Sequence, residues 1–193
     1  MKELLLKNTA NHISFTALEE QQFLNLFNTR HIKKKDFLLR EGEICTFEGF
    51  VNKGLFKTFH YDERGFEQIL NFPMEDWWVG DIDSFTNQRP SQYSIQALED
   101  SEIFFINKED KEWLYVNVPK VEKLFRIMSQ KALISLHRRL SENLKKTADQ
   151  RYLDFVESRP KLAQRLTNLQ IAAYLGISHE LVSKIRSKFS TKK

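Results

Sequence analysis

Residues 167–186 read TNLQIAAYLGISHELVSKIR, and this stretch is the most specific pattern in the chain. Thr167 can cap a first helix, in which Ile171 and Leu175 lie one turn apart and point inward. Gly176 ends this helix, because glycine adopts the left-handed backbone conformation without a steric cost. The stretch therefore predicts a short helix that stops at a turn.

A second helix is predicted to follow the turn. Ser178 can cap it, and Val182 and Ile185, three residues apart, anchor it to the first helix. Ala172 is small at the point where the two helices must approach closely. Together these positions form the pattern of a helix-turn-helix, and they place a DNA-reading helix at about Ser178–Phe189. The alternative is an ordinary helical hairpin with a charged face.

The inward positions of Val182 and Ile185 leave one face of the second helix for a major groove. Lys184 or His179 can donate to guanine, and Glu180 can accept from the amino group of cytosine. The other candidates for DNA contacts have hydroxyl or cationic side chains. All of them except Ser183 are predicted to contact phosphates. These candidates are Thr167, Ser178, Ser183, Arg186, Lys188, Lys192 and Lys193.

The charge of the chain is unevenly distributed around its net value of +4. From Lys145 to Lys193 there are eleven Lys and Arg against four Asp and Glu, so this segment carries +7 and the remaining 144 residues carry −3. A basic C-terminal quarter on a mildly acidic body predicts a polyanion as the partner of that quarter. A solvated basic face is the alternative.

The composition limits the cofactors and locations that we expect. The single cysteine, Cys45, excludes an internal disulfide and an all-cysteine iron–sulfur or zinc site within one chain. The N-terminus has too few consecutive apolar residues for a signal peptide, and no apolar run reaches the length of a membrane span. We therefore expect a cytoplasmic protein with no membrane partner, no metal and no cofactor.

The N-terminal half begins with a predicted helix and continues with short strands. The helix covers 14–30, where Ser14 or Thr16 can act as its cap. From residue 36 to about 107, runs rich in β-branched and aromatic residues alternate with turn signals. These runs are Asp36–Arg40, Gly49–Tyr61, Glu67–Phe72, Tyr93–Leu98 and Glu102–Ile106. The clearest hairpin passes through the turn Asp62–Gly65. The spacing predicts an antiparallel sandwich or jelly roll.

After Pro119 the apolar residues recur at helical spacing. The pattern lasts for about 25 residues without Gly or Pro, which corresponds to roughly 37 Å of helix. A helix of that length extends beyond a small core. We therefore favour a coiled-coil-like dimer seam over a face that packs on the strand-rich domain. The predicted seam residues are Val121, Phe125, Met128, Leu136 and Leu140, with Leu133 and Leu144 on the same stripe. A second helix, about Thr147–Ser158, stops before Pro160.

The order of these parts resembles the Crp–Fnr family of transcription regulators. The matching stretches are Arg40-Glu41-Gly42-Glu43, the glycine of Asn52-Lys53-Gly54, Gly80-Asp81 through Ala97, and Thr167 to Lys188. The resemblance implies a cyclic-nucleotide-binding jelly roll, a long dimer helix and a winged helix-turn-helix. It also implies three partners, namely double-stranded DNA, a second copy of the chain and RNA polymerase. The chain ends just after the reading helix, so we expect no wing.

The chain departs from the family pattern at the effector pocket. Cyclic-AMP-binding members have Gly-Glu at the start of a short helix and Arg-Ser or Arg-Thr about ten residues later. This chain has Gly80 and Asp81, then Ser91 and Gln92, with Arg89 displaced by two residues. Because an unpaired phosphate charge is costly to bury, we expect no response to cyclic AMP. The effector is then an unknown small molecule or none.

The reading helix departs in a milder way. Family members commonly have Arg-Glu and then Arg four residues after the Glu, where this chain has His179, Glu180 and Lys184. Lysine and histidine lack the bidentate fork of arginine, so we expect a different preferred DNA sequence.

We therefore predict an α+β protein in three parts. These are a β-roll sensor-like domain over 1–116, a long dimerisation helix over 117–145 and a wingless helix-turn-helix domain over 146–193. A jelly-roll enzyme of the cupin type is an alternative, but it needs His and carboxylate clusters on neighbouring strands, and only His60 lies within the predicted strands. The other alternative is a ligand-binding module that acts through protein contacts and carries a vestigial helix-turn-helix.

Overall fold

The computed structural model describes residues 2–190, and the side chains of residues 2–188. The helices in this range are α1 Glu3–Ala10, α2 Ala17–Asn25, α3 Ile82–Asn87, α4 Lys108–Asn117, α5 Lys120–Lys145, α6 Ala148–Ser158, α7 Pro160–Arg165, α8 Asn168–Leu175 and α9 His179–Ser190. The strands are β1 Asn28–Ile32, β2 Phe37–Leu39, β3 Glu48–Lys53, β4 Phe56–Tyr61, β5 Glu67–Asn71, β6 Trp78–Val79, β7 Ser94–Ala97 and β8 Ser101–Ile106. Lys192 and Lys193, two of the predicted phosphate contacts, lie outside the described residues.

The chain divides into two compact units. One unit, called here the β unit, contains the chain up to His60 together with Asn71–Lys131. The other, called the helical unit, contains Tyr61–Leu70 and the chain from Ala132 onward. The tip of the β4–β5 hairpin therefore belongs to the same unit as the C-terminal helices.

The strands form two four-stranded antiparallel sheets, in the orders β1-β8-β3-β6 and β2-β7-β4-β5. Successive side chains of a strand face opposite sides of its sheet. One strand can therefore contribute side chains to two separate cores. On β8, Ile103 joins the core between the two sheets, whereas Phe104 and Ile106 join a second core under helices. Leu5 of α1 and Leu114 of α4 belong to that second core. The α+β class is thus confirmed.

The predicted helix over 14–30 is shorter than expected. Thr16 caps it in a capping box with Glu19, but α2 ends at Asn25. The chain then enters β1, which pairs with β8 from Asn28 opposite Phe105 to Ile32 opposite Ser101. Pairing with a distant strand thus overrides the local helical pattern, since strand formation depends on tertiary context more than on propensity.

The predicted hairpin is present, and its turn is held by one carboxylate. The backbone N–H groups of Arg64 and Phe66 both donate to Oδ1 of Asp62 at 2.9 Å. The predicted run from residue 49 to 61 contains two strands, β3 and β4, and the turn signal Asn52-Lys53-Gly54 lies where β3 ends. A side chain at Gly54 would collide with Ser101, since a Cβ there would lie 2.1 Å from the Ser101 hydroxyl oxygen.

The long helix α5 has 26 residues, as its spacing predicted. Its first turns belong to the protomer's own core, where Val121 is fully buried and Phe125 is 7% exposed, and Met128 packs against them. The apolar surface of Val121 and Phe125 is covered within the chain itself, which corrects their predicted place in a dimer seam. Met128 is only partly buried, and it stays a predicted seam residue. Beyond Lys131 the apolar side chains of α5 are exposed. They are Leu133, Ile134, Leu136, Leu140 and Leu144.

Candidate DNA-binding surface and effector pocket

Helices α6 to α9 enclose a small apolar core. The inward residues predicted from the sequence are all buried: Ile171, Ala172, Leu175, Val182 and Ile185. Five further apolar side chains of this region are buried, namely Tyr152, Phe155, Leu162, Leu166 and Tyr174. Helices α8 and α9 pack on each other, and α6 contacts both.

In the turn between α8 and α9, capping hydrogen bonds end the first helix and begin the second. Gly176 adopts the left-handed conformation at φ 63°, and its N–H donates to the Ala172 carbonyl. The hydroxyl of Ser178 accepts from the N–H of Leu181 at 3.2 Å, as the N-cap of α9. At the other end of α8, Thr167 forms a capping box with Gln170. The sequence interpretation missed Gln170, although Thr-x-x-Gln is the spacing of that motif.

The predicted reading face is open to solvent. His179, Glu180, Lys184, Arg186 and Lys188 are exposed, and Ser183 is half-buried. The hydroxyls of Thr167 and Ser178 are exposed as well, but each already serves as a helix cap. Helix α9 therefore presents three cations, an imidazole and a carboxylate to solvent.

The Glu180 carboxylate is held at the start of α9. It accepts from its own backbone N–H and from the Ser178 hydroxyl, and these two hydrogen bonds lower the pKa of Glu180. The charges of His179 and Lys184 lower this pKa further. The exposed carboxylate is ionised at neutral pH, as glutamate ordinarily is, and can act as a hydrogen-bond acceptor.

Two cations of α9 have partners that the sequence interpretation missed. Nη1 of Arg186 donates to Oδ1 of Asn168 at 2.8 Å, which brings its guanidinium to the N-terminal end of α8. Nζ of Lys188 lies 3.7 Å from a carboxylate oxygen of Asp149 on α6. No local sequence pattern indicated either pair, because the partners are 18 and 39 residues apart.

The predicted effector residues do not form one site. Asp81, 8% exposed, caps α3, where its Oδ1 accepts from the N–H groups of Asp83 and Ser84. Its Oδ2 accepts from the Ser91 hydroxyl at 2.7 Å, and Ser91 is itself buried. The structure therefore brings Asp81 and Ser91 together, next to Gly80, which follows β6. The two buried side chains are hydrogen-bonded to each other.

Arg89 and Gln92 lie outside this buried cluster. The Arg89 guanidinium forms an ion pair with Asp83, in which Nε lies 2.9 Å from Oδ2, and both side chains are largely exposed. This pairing raises the pKa of Arg89 and lowers that of Asp83. Gln92 is exposed to solvent. The hydroxyl of Ser84, which the sequence interpretation missed, donates to the Arg89 carbonyl at 2.6 Å and so holds the loop in place.

The strands hold one histidine more than predicted. His31 lies in β1, with Nδ1 3.5 Å from Glu102, whereas only His60 was expected within strands. Among residues 2–190, no group of three or more His, Cys, Asp or Glu is placed to hold a metal ion. Over the same range, no helix combines the length and the apolar character that crossing a membrane requires.

Comparison with known proteins identifies the family. Residues 29–117 match the model of the cyclic nucleotide-binding domain. The transcriptional activator protein Anr of Pseudomonas aeruginosa is 31% identical over 172 residues, which cover 83% of this chain and 69% of that relative. Anr of Pseudomonas protegens is 30% identical with the same coverage.

The fold is shared with solved regulators. The c-di-GMP-responsive global regulator CLP of Xanthomonas campestris matches with a TM-score of 0.75 at 16% identity, over 92% of this chain and 93% of that one. FixK2 of Bradyrhizobium japonicum matches with a TM-score of 0.75 at 17% identity, over 86% and 85% of the two chains. With a helix-turn-helix behind a cyclic-nucleotide-binding-like domain, and with relatives of this similarity, the chain belongs to the Crp–Fnr family of transcription regulators.

Proposed function

We propose that the chain is a sequence-specific DNA-binding transcription regulator that binds an inverted-repeat site as a homodimer. The observation that carries this proposal is the exposed face of α9, on which Glu180 and Lys184 lie one turn apart above a buried core. A helix of this kind enters the major groove, and a two-fold dimer presents two of them about 34 Å apart.

A selection of bound fragments from genomic DNA tests this proposal. We expect enrichment of an inverted repeat whose half-site centres are roughly one helical turn apart, or about 10 base pairs. A selection that enriches no sequence favours the alternative, in which the chain acts through protein contacts and its helix-turn-helix is vestigial.

Phosphate contacts are proposed for Arg186 and Lys188. Arg186 lies beside the N-terminal end of α8, where free backbone N–H groups favour an anion. Lys188 and its partner Asp149 are both substantially exposed, and an exposed pair of this kind contributes little in water. A phosphate can therefore take the place of the Asp149 carboxylate when DNA binds.

Replacing Lys188 with Ala is expected to weaken binding to all DNA sequences by a similar factor. The change removes one phosphate contact, so the slope of log affinity against log salt concentration should fall by about one. Anisotropy titrations over a salt series measure this slope. Lys33→Ala, which removes an equal charge from an exposed position of the β unit, should leave the slope unchanged. A change of sequence preference in Lys188→Ala would instead place Lys188 at a base.

The second proposal is that the chain does not respond to cyclic AMP. A bound phosphate would face the buried Asp81 carboxylate, and the Arg89 guanidinium, the nearest cation in sequence, pairs with Asp83 at the surface instead. Burial of two negative charges without a cation is strongly unfavourable. We expect no heat of binding when cyclic AMP is titrated into the protein in a calorimeter. An affinity in the micromolar range would contradict this and would make Arg89→Ala the next variant to measure.

The remaining features are proposed together. The exposed leucines of α5 form the homodimer seam, the two sheets form a jelly roll, and the parts keep the predicted boundaries 1–116, 117–145 and 146–193. The protein acts in the cytoplasm on DNA and RNA polymerase, without a cofactor and without enzymatic activity. Its effector is an unknown small molecule or none.

A further inference from the structure

Three arginines from separate positions in the helical unit converge on the last residues of α8. Nη2 of Arg139, on α5, donates to the Tyr174 carbonyl at 2.9 Å. Nη1 of Arg151, on α6, donates to the Leu175 carbonyl at 2.8 Å. Nη1 of Arg159, which follows α6, donates to the Tyr174 hydroxyl at 3.2 Å. The final carbonyls of a helix lack partners within the helix and carry partial negative charge, so cations stabilise this end.

Arg139 differs from the other two because its guanidinium also contacts the hairpin. Its Nη1 donates to the carbonyl of Leu70, on β5, while its Cζ lies 4.1 Å from the centroid of the Tyr174 ring. One planar side chain on α5 thus joins a strand of the hairpin to the end of α8. We call this set of contacts, from Leu70 through Arg139 to Tyr174, the Arg139 junction.

The junction lies close to the turn that sets the direction of α9. Only Leu175 separates Tyr174 from Gly176, whose left-handed backbone makes the turn, and Ser178 then caps α9. A displacement of β5 would withdraw an acceptor from Arg139 and release the end of α8. The start of α9, which carries Glu180, would shift with it.

We propose that Arg139 is a positioning residue that couples the β4–β5 hairpin to the reading helix. The proposal rests on the DNA-binding function proposed above, and it makes the hairpin a control element for that function. Arginine suits this role because its fork directs donors to two acceptors at once while its flat face stacks on a ring. The ammonium group of lysine lacks this geometry, so Arg139→Lys should behave like Arg139→Met.

A double-mutant cycle on DNA affinity tests the coupling. Asp62→Ala loosens the hairpin turn, because it removes the acceptor for the N–H groups of Arg64 and Phe66. We expect Arg139→Met to weaken binding to the selected site by about tenfold, a usual size for coupling between sites. We expect Asp62→Ala to weaken binding severalfold in the unaltered chain and to have no effect in Arg139→Met. If the fold loss of affinity in the double variant equals the product of the two single losses, the hairpin and Arg139 are not coupled and the proposal is wrong.

Arg138→Met is the matched control. It removes the same charge from the neighbouring, exposed position of α5. Its affinity should stay within about threefold of the unaltered chain, since an isolated surface charge contributes little. An equal loss in Arg138→Met and Arg139→Met would mean that net charge alone is responsible and would overturn the proposal.

Hydrogen exchange in the absence of DNA keeps the test independent of the proposed function. In Arg139→Met, protection should fall together in residues 66–71 of the hairpin and in residues 168–178. A fall confined to 168–178 would make Arg139 a simple helix cap and overturn the coupling. If the unaltered chain binds no DNA, the proposed function fails, and the exchange result alone decides on the junction.

Discussion

Replacing Leu136 and Leu140 with glutamate is expected to give a folded monomer that binds the selected DNA site at least about 100-fold more weakly, as expected when avidity is lost. The two side chains are 60% and 56% exposed, so neither contributes to the core of the protomer. Charges at these positions would have to be buried without partners in a two-fold helix seam, which is strongly unfavourable. Light scattering measures the mass, circular dichroism the fold, and anisotropy the affinity.

The matched control introduces the same two charges elsewhere. Leu18 on α2 and Val116 on α4 are also exposed, at 65% and 79%. Leu18→Glu combined with Val116→Glu should therefore leave both the mass and the affinity of the dimer unchanged. If the Leu136 and Leu140 double variant stayed dimeric, the seam would lie on another surface.

Replacing Glu180 with Ala is expected to relax the preference at one base pair in each half-site, at a cost in discrimination of about 1–3 kcal/mol. The carboxylate accepts a hydrogen bond from the amino group of cytosine, and without it the protein tolerates other bases at that position. The exposed carboxylate is ionised at neutral pH, and its lowered pKa extends the ionised range toward acidic pH. Anisotropy titrations against a set of single-base variants of the selected site measure the preference.

Glu157→Ala provides the control for this prediction. Glu157 is exposed on α6, so the change removes the same charge without touching α9. It should raise the affinity for all DNA sequences slightly and leave the preference intact. If Glu180→Ala kept the preference of the unaltered chain at every base pair, the reading face of α9 would be placed wrongly.

The parts of the fold that were predicted correctly are those with local signals. Pro119 precedes α5, Pro160 follows α6 and Gly176 ends α8. Thr147, Thr167 and Ser178 cap the starts of α6, α8 and α9. The hairpin turn at residues 62–65 is equally local. Propensity, capping and turn chemistry act over a few residues, and here they agree with the tertiary fold.

The parts that were missed depend on partners far along the chain. The local spacing predicts a helix that runs to residue 30, because nothing within residues 28–32 shows that β8, some 70 residues later, pairs with this segment as β1. Helices α1, α4 and α7 are short and cover cores that the sequence pattern does not reveal. Val121 and Phe125 have the spacing of a seam, but both belong to a buried core of the chain itself, in which Phe125 packs against the Trp78 ring.

The amino-acid sequence by itself determined that a helix-turn-helix follows a long helix, and which residues of α9 face outward, since helical periodicity settles both. Only the tertiary structure decided the roles of Asp81, Arg89 and Arg139. The sequence shows that each carries a charge, but not the partner that compensates it. Asp81 is buried and Arg139 is half-buried, and a charge in such a place requires a partner at hydrogen-bond distance. That partner is set by the packing of segments that are distant along the chain, as with Leu70, Arg139 and Tyr174.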